Sequence, residues 1–373
     1  MGRSEPSWCS KRIARPGVQR AFQPPASVQR GVTPMFGGLM KTVVGLLTLA
    51  LALTSCRSDA TSAPPDAGAP ASLQAQLASD APRFSEWSAP VNLGALVNSE
   101  VEDMAPAISK DGLSLYFASL RAGGAGGFDI WAARRPTSDA AFGAPQSVGP
   151  AINTAGGENQ PELSIDGHRL FFNSGAAGGF GQADIYMSRR HDQRDDAGWE
   201  APVNLGGGVN SAARGTGADY YEDDATGAAM LNFASNRAGG VGGTDIYVST
   251  RLADGTWGAA ALVPELSSPF EDTAPCIRRD GLEIVFTSDR TGTLGQTDIW
   301  VATRAHTSDP WSTPVNLGAP VNSEFSDGDP SLSFDGTALY FHSAHREGTV
   351  GSEGRFDLWV STRTRLGGPD SER

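Results

Sequence analysis

Cysteine is nearly absent: three in 373 residues, at Cys9, Cys56 and Cys276. So few thiols cannot build the disulfide framework of a small secreted scaffold. Positive charge is in deficit. The chain has a formal net charge of −13. Its first 56 residues hold seven Lys/Arg and one acid, so the remainder is more acidic still. Such a surface argues against nucleic acid and against direct binding to an anionic membrane. No apolar run reaches the ~20 residues of a membrane-spanning helix. Familiar enzyme signatures are missing too: there is no Gly-x-Ser-x-Gly elbow, phosphate loop or dinucleotide fingerprint. His342-x-x-His345 lacks the helix and the Glu of a zinc-protease motif, so no metal site is assigned there.

What is present is a repeat. It is cleanest at Ser235-Asn236-Arg237-Ala238-Gly239-Gly240-Val241-Gly242-Gly243-Thr244-Asp245-Ile246-Tyr247. Near-copies start at Ser119, Ser174, Ser288 and Ser343 and end on Asp129, Asp184, Asp298 and Asp357. A self-similar unit at a period of tens of residues indicates a repeat architecture. An apolar run such as Leu115-Tyr116-Phe117 precedes each Ser, and a second run such as Asp245-Ile246-Tyr247-Val248 follows the glycines. Aromatic and β-branched runs of this length read as strands, and glycines allow the tight turn between them. Each copy is therefore a hairpin. Arg121, Arg237, Arg290 and Arg346 lie early in the loops, and the expectation is that each reaches across to the Asp closing its own loop. Ala176 stands in the second copy, so that pair is dispensable there.

The pattern Ser-x-Arg-x-Gly-Gly-x-Gly-x-x-Asp-Ile-Tyr, preceded by Ser-x-Asp-Gly and a Leu-Tyr-Phe run, resembles the WD-repeat-like (Pro-Asp repeat) propellers of TolB-type periplasmic proteins. The resemblance covers roughly residues 84–366. It implies a β-propeller and says little about activity, because one fold hosts many functions.

The amino-terminal 83 residues read differently. Residues 1–39 are a dispensable or mis-called leader. Met40-Lys41 opens an apolar run of about a dozen residues ending in small ones, a secretory signal over 40–55. Leu53-Thr54-Ser55-Cys56 resembles the lipobox of bacterial lipoproteins, which implies cleavage before Cys56, its acylation, and stable anchoring by several acyl chains. Arg57 after the Cys points to the outer membrane, facing the periplasm. Residues 56–83 have almost no large apolar side chains and read as a disordered tether, and 367–373 as a disordered tail. Cys276 is left as a small core residue.

Proline orders the strands. Pro106, Pro161, Pro275 and Pro330 precede the Ser-x-Asp-Gly-type turns, Pro90, Pro145, Pro202 and Pro314 lie in the connectors, and the hairpin runs contain none. Proline cannot donate to a ladder, so each unit runs edge, middle, middle, edge. That is the order of a propeller blade with its first strand at the channel. The Asp-Gly pairs, such as Asp111-Gly112, are turns joining the first strand to the second. Five connectors accompany five hairpins, but one connector, Trp87-Ser88-Ala89-Pro90-Val91-Asn92-Leu93-Gly94, precedes the first hairpin and none follows the last. The expected fold is all-β: a five-bladed propeller of four-stranded blades, closed by an N-terminal strand that completes the last blade.

Candidate sites follow from the repeat and from its one break. Asp103, Glu158, Asp272 and Asp327 lie three residues before each strand-one Pro, and Asp219 falls at about the matching place in the third copy. On the inner strands they would ring one channel mouth and raise one another's pKa or recruit a cation, calcium being the candidate. The alternative, which weighs more, is that each acid caps its own backbone. Tyr220, Tyr221, Glu222, Asp223 and Asp224 replace the Pro-containing strand entry in the third copy, and a local departure from a consistent pattern marks either a functional site or drift of one blade. The structural repeat acids are Asp129, Asp184, Asp245, Asp298 and Asp357.

The leading expectation is a monomeric, lipid-anchored, non-enzymatic propeller that binds an envelope protein or cell-wall polymer, with no cofactor. The alternative is a carbohydrate-binding or glycoside-cleaving propeller that uses the acidic mouth. Glycosidase sites set two or three non-equivalent carboxylates around a channel, so they break the repeat.

Overall fold

The computed structural model describes residues 83–176, 178–224, 226–344, 346 and 356–367. The leader, the signal segment with Cys56, the tether before Arg83 and the tail after Gly367 lie outside them, as does His345. Among the described residues every regular element is a strand.

Five four-stranded antiparallel sheets form the blades. From channel to rim, blade 1 is Asp103–Ile108, Ser114–Ser119, Asp129–Arg134 and Gln146–Ser147. Blade 2 is Glu158–Leu163, Arg169–Ser174, Asp184–Arg189 and Val203–Asn204. Blade 3 is Gly215–Glu222, Ala229–Ser235, Asp245–Thr250 and Ala261–Leu262. Blade 4 is Asp272–Ile277, Glu283–Ser288, Asp298–Thr303 and Val315–Asn316. Blade 5 is Asp327–Leu332, Ala338–Ala344, Phe356–Thr362 and, from the start of the chain, Val91–Asn92. The inner strands neighbour one another in cyclic order.

The second strands carry the core because each is sandwiched between two blades. Leu115, Tyr116, Phe117, Leu231, Phe233, Phe286 and Phe341 are all fully buried. Each such side chain contributes roughly 1.5–3 kcal/mol by leaving water. The outer strands are two residues long, which leaves little edge for another chain to pair with.

Closure uses the bonds that join strands within the other blades. Val91 and Asn92 pair with Val360 and Trp359. The Asn92 amide donates to Asp357 at 2.7 Å, as Asn204 does to Asp184 and Asn316 to Asp298. Asn98 then clamps the Leu358 backbone from both sides, donating to its carbonyl and accepting its N–H. Asn153, Asn210 and Asn322 do the same to Ile130, Ile185 and Ile299. A short strand of Arg83–Phe84 on Arg365–Leu366 extends the closure.

The prolines occupy a bulge rather than a regular edge position. In every inner strand the register breaks by one residue, between Met104 and Ala107 in blade 1. The residue before the Pro is left-handed: Ala105 at φ 52°, Gln160 at 50°, Ala274 at 47° and Asp329 at 46°. Blade 3 has Gly217 there at φ 60°, the residue best suited to it. A bulge re-aims side chains, and here it sends the residues around it into the channel.

Candidate functional site

The repeated loops correct the expected Arg–Asp pairing. Arg121 reaches Asp103 on the inner strand at 2.6 Å, together with the Ser119 hydroxyl and the Val97 carbonyl, and not Asp129. Arg290 does the same with Asp272, Ser288 and Leu266, and Arg346 with Asp327, Ser343 and Val321. The loop acids instead cap their own glycine turns. Asp129 accepts the Ala125 N–H, Asp184 that of Phe180, Asp245 that of Val241 and Asp298 that of Leu294. The reason is length: a short carboxylate beside a glycine turn meets backbone N–H groups first, and the long Arg spans to the next strand.

Asp103, Glu158, Asp272 and Asp327 therefore do not face a mouth. All four are 0% exposed. Each accepts a backbone N–H and a hydroxyl from a residue four positions earlier, Ser99, Thr154, Ser268 and Ser323. The ring of acids sharing a calcium ion is not formed, because each carboxylate is enclosed in its own blade. Blade 2 lacks the Arg, and its longer Glu158 spans between Thr154 and Ser174 instead.

Asp219 is not their counterpart. In blade 3 it is Gly215 that pairs with the hairpin Ser235, as Asp103 pairs with Ser119. Asp219 pairs with Asn232, which aligns it with the residue after the proline in the other blades. The five equivalent positions at the channel are Ala107, Glu162, Asp219, Cys276 and Ser331. All differ, and two are acids from adjacent blades. Glu162, Asp219, Cys276 and Ser331 line one narrow mouth of about 70 Å³. Lys110, Arg279 and Phe334 stand at its rim, with Tyr220 and Tyr221 in its wall.

The two acids are in unequal surroundings. No described residue hydrogen-bonds the Glu162 carboxyl, and burial, reinforced by the Asp219 charge, holds it well above the usual carboxylate range. Burial pushes Asp219 up to about 7, opposed by the Ile277 N–H and the Asn232 amide, which favour its ionised form. Burial also raises the Cys276 thiol, with the Asp219 and Glu162 charges adding to it. Its Sγ accepts the Leu332 N–H, so it is an inert thiol rather than a nucleophile. Deeper in the channel Asp329 behaves oppositely. Burial works against its charge, but His342 at 3.3 Å, the Gln160 amide at 3.1 Å and Arg214 hold its pKa below the ordinary value. One channel thus contains two carboxyls whose pKa values are raised and one whose pKa is lowered.

The rest of the blade 3 break supports this mouth. Tyr220 stacks on Phe171 at 5.0 Å, and its hydroxyl donates to Glu222 at 2.5 Å. Asp223 holds the turn by accepting the Thr226 N–H, and Asp224 pairs with Arg279 of blade 4. The missed signal was the residue following each strand-one Pro. It varies where its neighbours repeat, and in blade 3 the missing Pro hid the register.

A stability prediction follows from Asp219. Its native pKa of about 7 exceeds its ordinary 3.8, so between those values the folded state holds a proton the unfolded state has released. Stability must then fall as pH rises through that window. Asp219→Asn removes the buried charge, so its melting temperature should exceed the parent's at pH 8 by more than at pH 5. A gain that is equal at both pH values would contradict this assignment.

No family model and no curated protein sequence matches the chain. Solved structures do share its architecture. The catalytic domain of a GH62 α-L-arabinofuranosidase from Coprinopsis cinerea superposes with a TM-score of 0.52 at 12% identity, covering 76% of this chain and 99% of that one. An α-L-arabinofuranosidase from Podospora anserina, solved with cellotriose, gives 0.50 at 13%, covering 75% and 97%. TolB from Acinetobacter baumannii gives 0.41 at 16%, covering 72% and 56%; with no family model matching, the expected TolB-type family is not shown. The expectation of a non-enzyme is overturned. Glycoside hydrolases are built on this fold across almost their whole length, so the lack of a familiar motif excluded nothing. At these identities the likeness shows a common fold: the chain is a five-bladed propeller.

Proposed function

We propose that this propeller is carbohydrate-active, holding a glycan at the Glu162–Asp219 mouth and cleaving a glycosidic bond there. The observation that carries the reading is the unequal acid pair at positions where the repeat is broken. Paired carboxyls whose environments push their pKa values apart divide into acid and base. Glu162, whose pKa burial raises, gives its proton to the leaving glycosidic oxygen as the bond to the anomeric carbon breaks. Asp219, partly ionised, supports the positive charge developing on the sugar and supplies the carboxylate that attacks it or activates water. Phe334 provides exposed aromatic surface beside the mouth, and the matched glycosidases favour this reading at the level of fold.

The test is release of reducing ends from arabino-, xylo- and gluco-oligosaccharides, with binding followed in parallel. Turnover of one class, abolished by Glu162→Gln, is expected. Neither turnover nor binding across the panel would end the reading.

The proposal includes location. A chain acylated at Cys56 would carry the propeller on a tether at the outer membrane, facing periplasmic glycans. Mass spectrometry of the membrane fraction should find a lipid-modified Cys56 as the new amino terminus; an unmodified or absent cleavage site would refute it.

A further inference from the structure

A second break of the repeat lies on the rim side of the same face, between blades 2 and 3. Four blades share one device at the end of the third strand. Arg135, Arg190, Arg304 and Arg363 each donate from Nε to the glycine carbonyl of the inner turn, at 2.6–2.8 Å. Each guanidinium also covers the connector aromatic: Arg135 over Phe142 at 4.4 Å, Arg190 over Trp199 at 4.5 Å, Arg304 over Trp311 at 4.1 Å and Arg363 over Trp87 at 4.3 Å. In blade 3 the ladder of the first two strands runs two pairs further, to Glu222 opposite Ala229, so its turn glycine, Gly227 at φ 70°, lies further along the hairpin. Arg251, the equivalent arginine, turns back to the Gly255 carbonyl of its own loop at 3.5 Å. No guanidinium among the described residues covers Trp257, which is half-buried.

The neighbouring blade adds an unusual cost. Arg169 and Arg189 are directly opposite in the antiparallel ladder of blade 2. Like charges at that spacing are destabilising. The other blades place Ser114–Arg134, Met230–Thr250, Glu283–Thr303 and Ala338–Thr362 there. Arg189 is exposed and has no ion-pair partner among the described residues, and Arg169 reaches only Asp166, at 3.4 Å. Arg169, Arg189, Arg251 and Trp257 line one groove of about 520 Å³, with Glu200 the only acid among its described lining residues, on a chain of net charge −13. Arg169 lies 5.8 Å from the Tyr220 ring, and Tyr220 also lines the channel mouth.

We infer that this groove binds an acidic oligosaccharide, with Arg189 and Arg251 taking a uronate carboxylate and Trp257 the apolar face of its ring. Guanidinium forks match carboxylate geometry bidentately, and a pyranose carrying a carboxylate presents both the anion and the flat apolar surface this wall offers. The site stands apart from the channel carboxyls, so it holds whether or not the mouth cleaves.

The test is calorimetric titration of the full chain in detergent with an oligogalacturonate and with its fully methyl-esterified, neutral counterpart. The acidic chain should bind at least about tenfold more tightly. Arg189→Gln, at an exposed residue, and Arg251→Gln, at a half-buried one, should each weaken it about tenfold, and added salt should weaken it further. Glu162→Gln should leave groove binding intact, which separates failure of this inference from failure of the channel reading. Equal binding of the esterified chain, insensitivity to both arginine variants, or equal binding of a polyglutamate peptide would overturn it.

Discussion

Asp272→Ala should destabilise the propeller by about 3–5 kcal/mol, the cost of removing one partner from a buried ion pair. The carboxylate is fully buried and serves four donors: the Ser268 N–H, the Ser268 and Ser288 hydroxyls, and the Arg290 guanidinium. Deleting it strands all four, and Arg290 has little water to turn to. For a domain of this size the loss is roughly 6–20 °C in melting temperature. Blade 2 indicates how the effect can be moderated, since it pairs Glu158 with Ala176 and has no guanidinium to strand. The double variant Asp272→Glu with Arg290→Ala should therefore melt above Asp272→Ala. Thermal unfolding by circular dichroism checks both. A loss under about 1 kcal/mol would mean that the acid is an ordinary solvated turn residue.

The second large effect concerns the channel. On the proposed reading Glu162→Gln and Asp219→Asn should each lower glycoside cleavage by about 10²–10⁴-fold, the usual contribution of a positioned acid or base. Asn at position 219 keeps the volume, and Gln at 162 keeps the reach, so folding is spared. Cys276→Ser and Ser331→Ala change the same ring without touching a proton donor, and should alter the rate far less. Loss of binding together with rate in the carboxyl variants would instead assign both acids to substrate positioning. Unchanged rates would remove them from the chemistry.

The blade count, the strand order and the strand-swapped closure were legible because they depend on backbone chemistry that repeats. Proline marks a position needing no ladder donor, glycine a turn needing left-handed φ, and the spare Trp87 connector an unpaired edge. The side-chain partners were not legible. Arg121 and Asp129 are neighbours in sequence at opposite ends of one loop, which favours pairing them, but Asp129 is satisfied first by the N–H groups of its own turn and Arg121 by Asp103. The channel ring was missed for a related reason. Acids that recur, such as Asp103 and Asp272, draw notice although recurrence here marks scaffolding. Glu162 and Asp219 occupy one structural position with different residues, and a bulge beside it shifts the register. Without Pro in blade 3, Asp219 could be aligned two ways, and only the Asp219–Asn232 pairing decides.

The central claim is that the Glu162 and Asp219 carboxyls are driven to unequal, elevated protonation by their place in the channel. Carbon-detected NMR titration of the side-chain carboxyls tests it most directly. The account predicts an Asp219 resonance moving near pH 7 and a Glu162 resonance moving well above the usual carboxylate range, with Asp219→Asn lowering the Glu162 midpoint. Both carboxyls titrating near pH 4, as solvated acids do, would contradict it.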